Sequence, residues 1–312
     1  MADQTLSVII PARNAAKTLP ALLDALLDLK TPTGWHVEVV AAFTDSRDDT
    51  LAVLEQRPIK IVHVTTIGPG AARNAAAREA SGDLLYFIDA DARPVGDDFF
   101  IRLIHAAVEL NKRKKLGGFG GPILLDPAQR KNPIAQGDHF ACWFNWSEKR
   151  RTQRTSLFQP TVSLVMPHAV FKALGGFDPK MRVMEDFDLQ QRATRAGLRL
   201  YFVQDLAVTH HARDTFLKSW RHSWYWGTPY RSAYLEKVRD PHLRFPPGSK
   251  WFWLNLPSVF RRRMRLVTRS AWRTSRWATL SSYPFVACTV FSWSLATVLG
   301  GGQPSPEKPH AD

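Results

Sequence analysis

Short apolar runs alternate with helical leucine and alanine repeats through the first third of the chain. The apolar run 6–11 predicts a buried strand, and residues 19–29 repeat leucine at helical spacing after Thr18, which can cap a helix. The alternation continues with strands predicted at 37–42, 59–64 and 84–88 and helices at 48–56 and 70–80. This pattern predicts a mainly parallel sheet with helices on both faces, which places ligands at the carboxyl ends of the strands.

The pattern becomes less regular after residue 88. It predicts helices at 98–110 and 185–196, the second closed by Gly197, and strands at 119–125, 162–166, 198–203 and 207–210. Beyond His211 the spacing is helical, tryptophan-rich and basic, and the last ten residues are mostly proline and polar side chains. We therefore expect an α/β domain over 1–227, a basic helical region over 228–302 and a disordered tail over 303–312.

Positive charge is concentrated in the last third of the chain. Among 312 residues there are 42 Lys and Arg against 28 Asp and Glu, a formal net charge of +14. Such a charge suits nucleic acid, anionic lipid or a polyanionic substrate. Cys142 and Cys288 lie far apart without metal-ligand spacing, and the amino terminus lacks the features of a secretory signal. We expect a reduced protein on the cytoplasmic side.

Acidic residues follow the predicted strand 84–88 and begin the predicted helix 185–196. Asp89 and Asp91, one residue apart, can place both carboxylates on one side of the strand end, where they suit a hard divalent cation. The glycines before Arg73 offer backbone N–H groups, and its guanidinium suits phosphate. Asp186 can act as a base. Taken singly, these motifs are also typical of a solvated acidic loop, an ordinary turn and an acidic helix start.

The ordered set of motifs is more specific than any one of them. It consists of Ser7-Val8-Ile9-Ile10-Pro11-Ala12-Arg13-Asn14, Ala72-Arg73-Asn74, Asp89-Ala90-Asp91, Gly175-Gly176-Phe177-Asp178 and Glu185-Asp186. Over roughly residues 5–227 the chain resembles a family 2 glycosyltransferase with the GT-A fold, a Rossmann-like, mainly parallel sheet flanked by helices. The resemblance implies inverting transfer of a sugar from a nucleotide-diphosphate donor to a hydroxyl acceptor, assisted by Mn²⁺ or Mg²⁺.

The resemblance also implies roles for acidic and histidine residues. Asp186 is the expected general base, and its place at a helix start favours the ionised form. Asp188 is the weaker candidate and is expected to have a structural role. Asp91 is the expected principal metal ligand, completed by His210 after the last strand. Adjacent strand residues point to opposite faces, so we expect one of His210 and His211 to reach the site, and we favour His210.

The nucleotide pocket is expected at the ends of the first strands. Donor contacts are implied for Pro11, Ala12, Asn14, Arg73 and Asp89. The family often has two acids after its second strand, where this chain has Phe43 and Thr44. Either Asp45 replaces them or Phe43 stacks on the base, and the donor nucleotide stays open.

The basic region contains features of a membrane-associating segment. Residues 251–276 mix tryptophan and leucine with dense arginine, and 283–302 contain no charge. These patterns suit an anionic membrane surface, with interfacial insertion favoured over spanning because serine and threonine interrupt the uncharged run. A helix buried against the rest of the protein is the alternative. Five further tryptophans suit either an acceptor platform or core packing, and they are Trp143, Trp146, Trp220, Trp224 and Trp226.

The leading hypothesis is a peripheral or monotopic enzyme on the cytoplasmic face of the cell membrane. Its acceptor is expected to be lipid-linked or close to the membrane. The alternative is a catalytically inactive relative that serves as a scaffold for membranes or polyanions. Nucleic-acid binding by the basic region is a third, less favoured class.

Overall fold

The computed structural model describes residues 4–66, 68–112, 115–155, 157–235 and 242–300. It divides into two compact units. The sheet unit comprises Met1–Ile123, Arg150–Met181 and Glu185–His210, and the helical unit comprises Leu124–Lys149, Arg182–Met184 and His211–Asp312. The tail predicted to be disordered at 303–312 lies outside the described residues.

The strands are β1 (Gln4–Ala12), β2 (Trp35–Thr44), β3 (Lys60–Val64), β4 (Leu84–Ile88), β5 (Ala92–Pro94), β6 (Leu116–Gly120), β7 (Ile123–Leu125), β8 (Gln153–Thr155), β9 (Ser163–Pro167), β10 (Arg199–Phe202) and β11 (Val208–His210). The large sheet of the sheet unit has the order β3-β2-β1-β4-β9-β6-β10-β8. Strands β3, β2, β1 and β4 pair in parallel, as do β6 and β10. Strand β9 is antiparallel to β4, and β8 is antiparallel to β10. The predicted mainly parallel sheet is therefore confirmed, with two antiparallel strands that the sequence pattern did not reveal.

The helices are α1 (Leu19–Asp28), α2 (Thr50–Glu55), α3 (Pro69–Glu79), α4 (Phe99–Asn111), α5 (Pro133–Trp143), α6 (His168–Ala173), α7 (Glu185–Arg195), α8 (Phe216–Gly227), α9 (Leu256–Thr274) and α10 (Arg276–Leu299). Helices α5, α8, α9 and α10 belong to the helical unit. Helix α3 packs against β1 and β2 through alanines, whose small side chains let the helix approach the sheet closely.

The core of the sheet unit holds the second glycine motif beside the end of β4. Phe177 packs edge-on against Phe87 with ring centroids 5.2 Å apart. The backbone of Phe177 is fixed by Asn74, whose Nδ2 donates to the Phe177 carbonyl at 2.7 Å and whose Oδ1 accepts from its N–H at 2.9 Å. Gly176 has φ 69°, and an added Cβ would lie 2.6 Å from Asn74 Oδ1. The motifs around residues 74 and 176 therefore hold each other in place beside the end of β4, through these hydrogen bonds and ring contacts.

One predicted strand is wrong in detail. The run 119–125 forms two short strands, β6 and β7, interrupted by Gly121 and Pro122. The proline nitrogen has no hydrogen to donate to a ladder, and a Cβ on Gly121 would collide with the Leu206 carbonyl oxygen. The apolar character of the run hides this break.

Helix α10 forms the centre of the helical unit and packs against α5, α8 and α9. Its contacts with α8 use hydroxyl groups: Ser292 Oγ donates to the Trp220 carbonyl at 2.8 Å, and the Thr289 and Ser219 hydroxyl oxygens lie 3.0 Å apart. Helix α8 belongs to the helical unit, which resumes at residue 211. Within the described residues, α10 is one helix long and apolar enough to cross a membrane, and 56% of its most apolar window is buried.

Candidate functional site

The carboxyl end of β4 brings Asp91 to His210. After β4 the chain turns, and Ala92 of β5 pairs with His210 of β11 in antiparallel register. His210 is buried, Asp91 is partly exposed, and Nε2 of the histidine lies 3.5 Å from Oδ1 of the aspartate. A carboxylate and an imidazole suit Mn²⁺, and the carboxylate also suits Mg²⁺. The two predicted metal ligands are therefore neighbours, with donor chemistry that fits the expected cation.

The adjacent histidine points elsewhere. In the helical unit, His211 Nδ1 lies 3.2 Å from Asp126 Oδ2, and its Nε2 lies 3.2 Å from Gln129 Nε2. The strand pleat thus separates the two side chains, and His210 is the one that lies beside Asp91.

Arg73 links Asp89 to the acids of α7. Its guanidinium is 3% exposed and donates to Asp89 Oδ1 at 2.6 Å and to Glu185 Oε1 at 2.8 Å. Burial lowers the pKa of Arg73, but attraction to Asp89 and Glu185 outweighs it and leaves that pKa raised. The guanidinium therefore remains charged and contacts carboxylates, so the structure gives Arg73 a bridging position in the site.

Asp186 and Glu185 are buried at the start of α7. Asp186 accepts from its neighbour Phe187 N at 2.7 Å and from Thr161 N at 3.3 Å. Burial raises the pKa of Asp186 from 3.8 to about 6, against the lowering effect of Arg73 and the two N–H groups. Burial and the charge of Asp186 raise the pKa of Glu185 from 4.5 to about 7. The helix start was expected to favour ionisation of Asp186, but burial outweighs that effect.

A pKa near 6 matches the requirements of a general base. A carboxyl with an ordinary pKa is ionised at neutral pH but accepts a proton weakly. Raising the pKa while the group stays largely ionised strengthens the base at working pH. Asp188, in contrast, forms an ion pair with Arg192 four residues later, with Nε and Oδ2 2.9 Å apart. This pair fits the structural role expected for Asp188.

Two loops meet at the carboxyl ends of β1 and β2. Asn14 has φ 49°, its N–H donates to Ser46 Oγ at 3.1 Å, and its Oδ1 accepts from Arg47 N at 2.9 Å. Arg13 Nε donates to the backbone carbonyl of Asp45 at 3.3 Å, and Asp45 is exposed. Pro11 and Ala12 end β1 directly before this junction. The predicted nucleotide-contacting residues therefore share one sheet edge.

Phe43 occupies part of that edge in place of an acid. Its ring lies edge-on to His63 with centroids 5.5 Å apart, and it remains partly exposed. A base that stacked there would contact an aromatic pair rather than a carboxylate.

Glu185 and the Thr161 N–H are site groups without a predicted role. The adjacency of two acids, with an arginine earlier in the chain, was the available signal for Glu185. Thr161 contributes a backbone N–H, for which no side-chain pattern exists. Trp143 and Trp146 are buried and pack edge-on at 5.9 Å, which favours the core interpretation for these two tryptophans.

The helical unit contains a second group with metal-ligand chemistry. Potential ligand atoms of Asp138, Cys142 and His222 all lie within 4.8 Å of one another. The Asp138 carboxylate also accepts from Ser219 Oγ at 2.8 Å and from Arg213 N at 3.2 Å. Burial raises the pKa of Asp138 and of the Cys142 thiol. The cysteine spacing along the chain gave no sign of this group.

Comparison with known proteins connects this geometry to a family. Residues 7–113 match the family model described as Glycosyl transferase family 2. The pre-mycofactocin glycosyltransferase of Mycobacterium tuberculosis is 24% identical over 254 residues, covering 80% of this chain and 52% of the relative. The chain thus spans about half the length of that curated relative.

Solved structures share the fold. The mannosyltransferase PcManGT from Pyrobaculum calidifontis, in complex with GDP-Man and Mn²⁺, matches with a TM-score of 0.57 at 18% identity, covering 94% of this chain and 85% of that chain. S. aureus TarS 1–349 in complex with UDP-GlcNAc matches with a TM-score of 0.52 at 18% identity, covering 94% and 90%. Residues 7–113 thus match the family 2 glycosyltransferases, and the solved structures show that the chain has the GT-A fold, a mainly parallel sheet flanked by helices.

Proposed function

We propose that the protein transfers a sugar, with inversion, from a nucleotide-diphosphate donor to a hydroxyl acceptor. The observation that carries the proposal is the buried Asp186 carboxyl, whose pKa is raised to about 6. It belongs to a cluster in which Arg73 contacts Asp89 and Glu185. A buried base beside an acid at a strand end suits a reaction that removes a proton from one substrate while the other departs as an anion.

The proposed step requires one base. The acceptor oxygen attacks the anomeric carbon and loses its proton to Asp186, while the bond from that carbon to the diphosphate oxygen breaks. The electron pair of that bond leaves with the nucleotide diphosphate. Attack opposite the leaving group inverts the anomeric centre. Asp89 is proposed to contact the donor sugar or ribose, held in position by Arg73.

A divalent cation is proposed at Asp91 and His210. These two side chains would hold it, as their carboxylate and imidazole atoms lie 3.5 Å apart. When bound, Mn²⁺ or Mg²⁺ supplies positive charge that offsets the charge of the departing diphosphate. PcManGT in complex with Mn²⁺ supports manganese for this fold.

The comparisons support a nucleotide sugar as donor without selecting the nucleotide. PcManGT is named in complex with GDP-Man and TarS with UDP-GlcNAc. Pro11, Ala12, Asn14 and Asp45 are proposed to line the nucleotide pocket. We propose that the nucleotide's base is recognised at this edge by aromatic contact with Phe43, which lies beside His63.

A donor screen tests the proposal. A nucleotide sugar that binds the native state should raise the melting temperature of the protein, and Mn²⁺ should increase the shift. The donor found in this way is then used to measure hydrolysis and transfer by the wild type and by Asp91→Asn and Asp186→Asn. Asp188→Asn is the matched control, because Asp188 lies on the same helix in an ion pair with Arg192.

The outcomes separate the two hypotheses for this chain. Turnover that is reduced at least tenfold in Asp91→Asn and Asp186→Asn, and retained in Asp188→Asn, supports the enzyme. Absence of binding and turnover across uridine, guanosine, adenosine and thymidine diphosphate sugars would favour the inactive scaffold.

A membrane-near acceptor is the second part of the proposal. We propose that the acceptor hydroxyl is lipid-linked or lies close to an anionic membrane surface on the cytoplasmic face. The support is the composition of the carboxyl-terminal region, in which arginine and tryptophan alternate before a long uncharged run.

A further inference from the structure

Helix α10 has an inverted distribution of polar and apolar residues. A helix on the surface of a soluble protein normally buries apolar side chains and exposes polar ones. Here the buried positions include six hydroxyl residues: Thr279, Ser282, Thr289, Ser292, Ser294 and Thr297. The exposed positions between 277 and 299 are Trp277, Leu280, Ser281, Tyr283, Pro284, Phe291 and Leu299, none of which is charged. Packing through small hydroxyl residues with an apolar outer surface is typical of helices that contact lipid.

The exposed aromatic residues cluster where α9 meets α10. We call this the α9–α10 corner, defined by Trp272, Arg273, Arg276, Trp277, Leu280 and Tyr283. Trp277 is 83% exposed and Leu280 56% exposed. Trp272 lies under the Arg276 guanidinium, 5.8 Å from its ring centroid. Large aromatic side chains exposed in this way rarely serve a monomer in water, and they mark interaction sites.

The charges around the corner identify the partner as an anionic lipid surface. Helix α9 exposes five arginines, which are Arg261, Arg262, Arg265, Arg269 and Arg273. Helices α9 and α10 contain no acidic residue. Tryptophan and tyrosine prefer the boundary between headgroups and acyl chains, and arginine binds anionic headgroups. Nucleic acid would use the arginines but would leave Leu280 and Tyr283 in water.

The packing of α9 along α10 favours lying in the interface over spanning. Helix α10 is long enough to cross a bilayer, but α9 follows it after Ser275 and packs against it. A spanning α10 would carry the exposed arginines of α9 towards the hydrocarbon centre, which is strongly unfavourable. Proline at position 284 inside α10 also suits an interfacial helix that need not be straight.

We propose that the α9–α10 corner inserts into one leaflet of an anionic membrane, with its aromatic and leucine side chains at the acyl boundary and its arginines among the headgroups. The inference deepens the proposed function. Only the part that concerns a lipid-linked acceptor rests on that function. Membrane binding by the corner stands independently of catalysis.

Vesicle flotation of the full chain tests the corner. Phosphatidylcholine vesicles with and without phosphatidylglycerol are the probes, and the variants are the double substitution Trp277→Ser with Leu280→Ser and the matched control Trp253→Ser. Trp253 is also exposed, at 50%, in the same unit but outside the corner. We expect the double variant to lower the partition coefficient on anionic vesicles at least tenfold, and the control to lower it less than threefold. Each variant's thermal unfolding is recorded, since exposed substitutions should leave the fold intact.

The charge component is tested by replacing Arg269, Arg273 and Arg276 with glutamine. Each arginine near an anionic surface should contribute about fivefold to the partition coefficient, so the triple variant should lower the partition coefficient on phosphatidylglycerol vesicles by about a hundredfold. Equal loss in the double variant and Trp253→Ser would overturn the assignment to the corner. Binding to random-sequence DNA without vesicle binding would overturn the lipid partner. Donor hydrolysis in solution should be unchanged in all these variants, so a failure of catalysis and a failure of membrane binding are distinguishable.

Discussion

Replacing Asp186 by asparagine should stabilise the protein at pH 8 while slowing transfer strongly. The folded-state pKa of Asp186 is raised from 3.8 to about 6 by burial. A carboxyl with a raised folded pKa favours the folded state below its unfolded pKa, and that contribution is lost as pH rises through the folded pKa. Above pH 6 the buried carboxylate therefore opposes folding, and removal of its charge should increase the free energy of unfolding.

The magnitude follows from the same pKa. A rise from 3.8 to about 6 corresponds to about 3 kcal/mol of penalty on the ionised form. Asparagine can keep the hydrogen bond from Phe187 N with its oxygen, but its amide group cannot accept from Thr161 N. That 3.3 Å hydrogen bond is long, and leaving its donor unsatisfied should cost about 1 kcal/mol. The net gain at pH 8 is about 2 kcal/mol, or a rise of roughly 4–8 °C in melting temperature. Removing the charge should also bring the pKa of Glu185 down, which adds to the gain.

Thermal unfolding from pH 4 to pH 8 checks the sign as well as the size. At pH 4 the wild-type carboxyl is protonated in the folded state, so the variant loses the Thr161 contact without compensation and should be slightly less stable than the wild type. The greater stability of the variant should develop between pH 4 and pH 6 and should persist above pH 6. Asp188→Asn, which removes a partly exposed ion-pair partner on the same helix, should show no such pH-dependent gain. The reasoning is refuted if Asp186→Asn is equally destabilised at both ends of the pH range. Transfer should fall about 10²–10⁴-fold.

Three further predictions concern neighbouring parts of the structure. Asp91→Asn should raise the Mn²⁺ concentration for half-maximal transfer at least tenfold, measured by metal titration at saturating donor; an unchanged value would remove Asp91 from the metal site. Arg73→Met should leave Glu185 without its cation and destabilise the fold by about 3–5 kcal/mol at pH 8. It should also raise the pKa of the Asp186 carboxyl, so the acid limb of the transfer rate should move to higher pH, and a shift to lower pH would contradict the assignment. Gly137→Ala would place a Cβ 2.8 Å from α10 and should cost about 1–3 kcal/mol in urea unfolding, whereas Gly248→Ala, with nothing within 4 Å, should be nearly neutral.

The sequence predicted the parallel half of the fold well, because its central strands β1 and β4 are buried on both faces and form uninterrupted apolar runs. Strand β4 was predicted with its observed bounds, Leu84–Ile88, and all its residues are buried. The strands beyond it were harder to predict. Strand β9 has the same apolar character as the parallel strands, yet it pairs antiparallel to β4. Strand direction depends on how the intervening chain returns, and local apolar patterns contain no information about that path.

The sequence predicted which residues belong to the site better than it predicted the contacts between them. Asp91 and His210 were expected together, and β5 and β11 do bring them together. The bridging position of Arg73 was not foreseen, because guanidinium chemistry suits phosphate and carboxylate equally. Because Arg73 is almost completely buried, its guanidinium contacts carboxylates here. This burial results from tertiary packing against α7, which the spacing of residues along the chain does not specify. The inverted polarity of α10 was hidden for the same reason, since composition gives serine and threonine but not the face they occupy.

Arg73 pairs directly with one of the two acids at the start of α7 and acts on the other from a distance. Arg73 hydrogen-bonds Glu185 and Asp89, and these two carboxylates share one positive charge. Asp186 accepts from two backbone N–H groups, and the charge of Arg73 lowers its pKa without outweighing burial. The direct pair with Arg73 lowers the pKa of Glu185, but burial and the charge of Asp186 outweigh it and leave that pKa raised to about 7, with the Glu185 carboxylate held by the guanidinium. Because the arginine is held by the neighbouring glutamate, it stabilises the ionised Asp186 only from a distance, and burial leaves that carboxylate basic enough to remove a proton from a hydroxyl group near neutral pH.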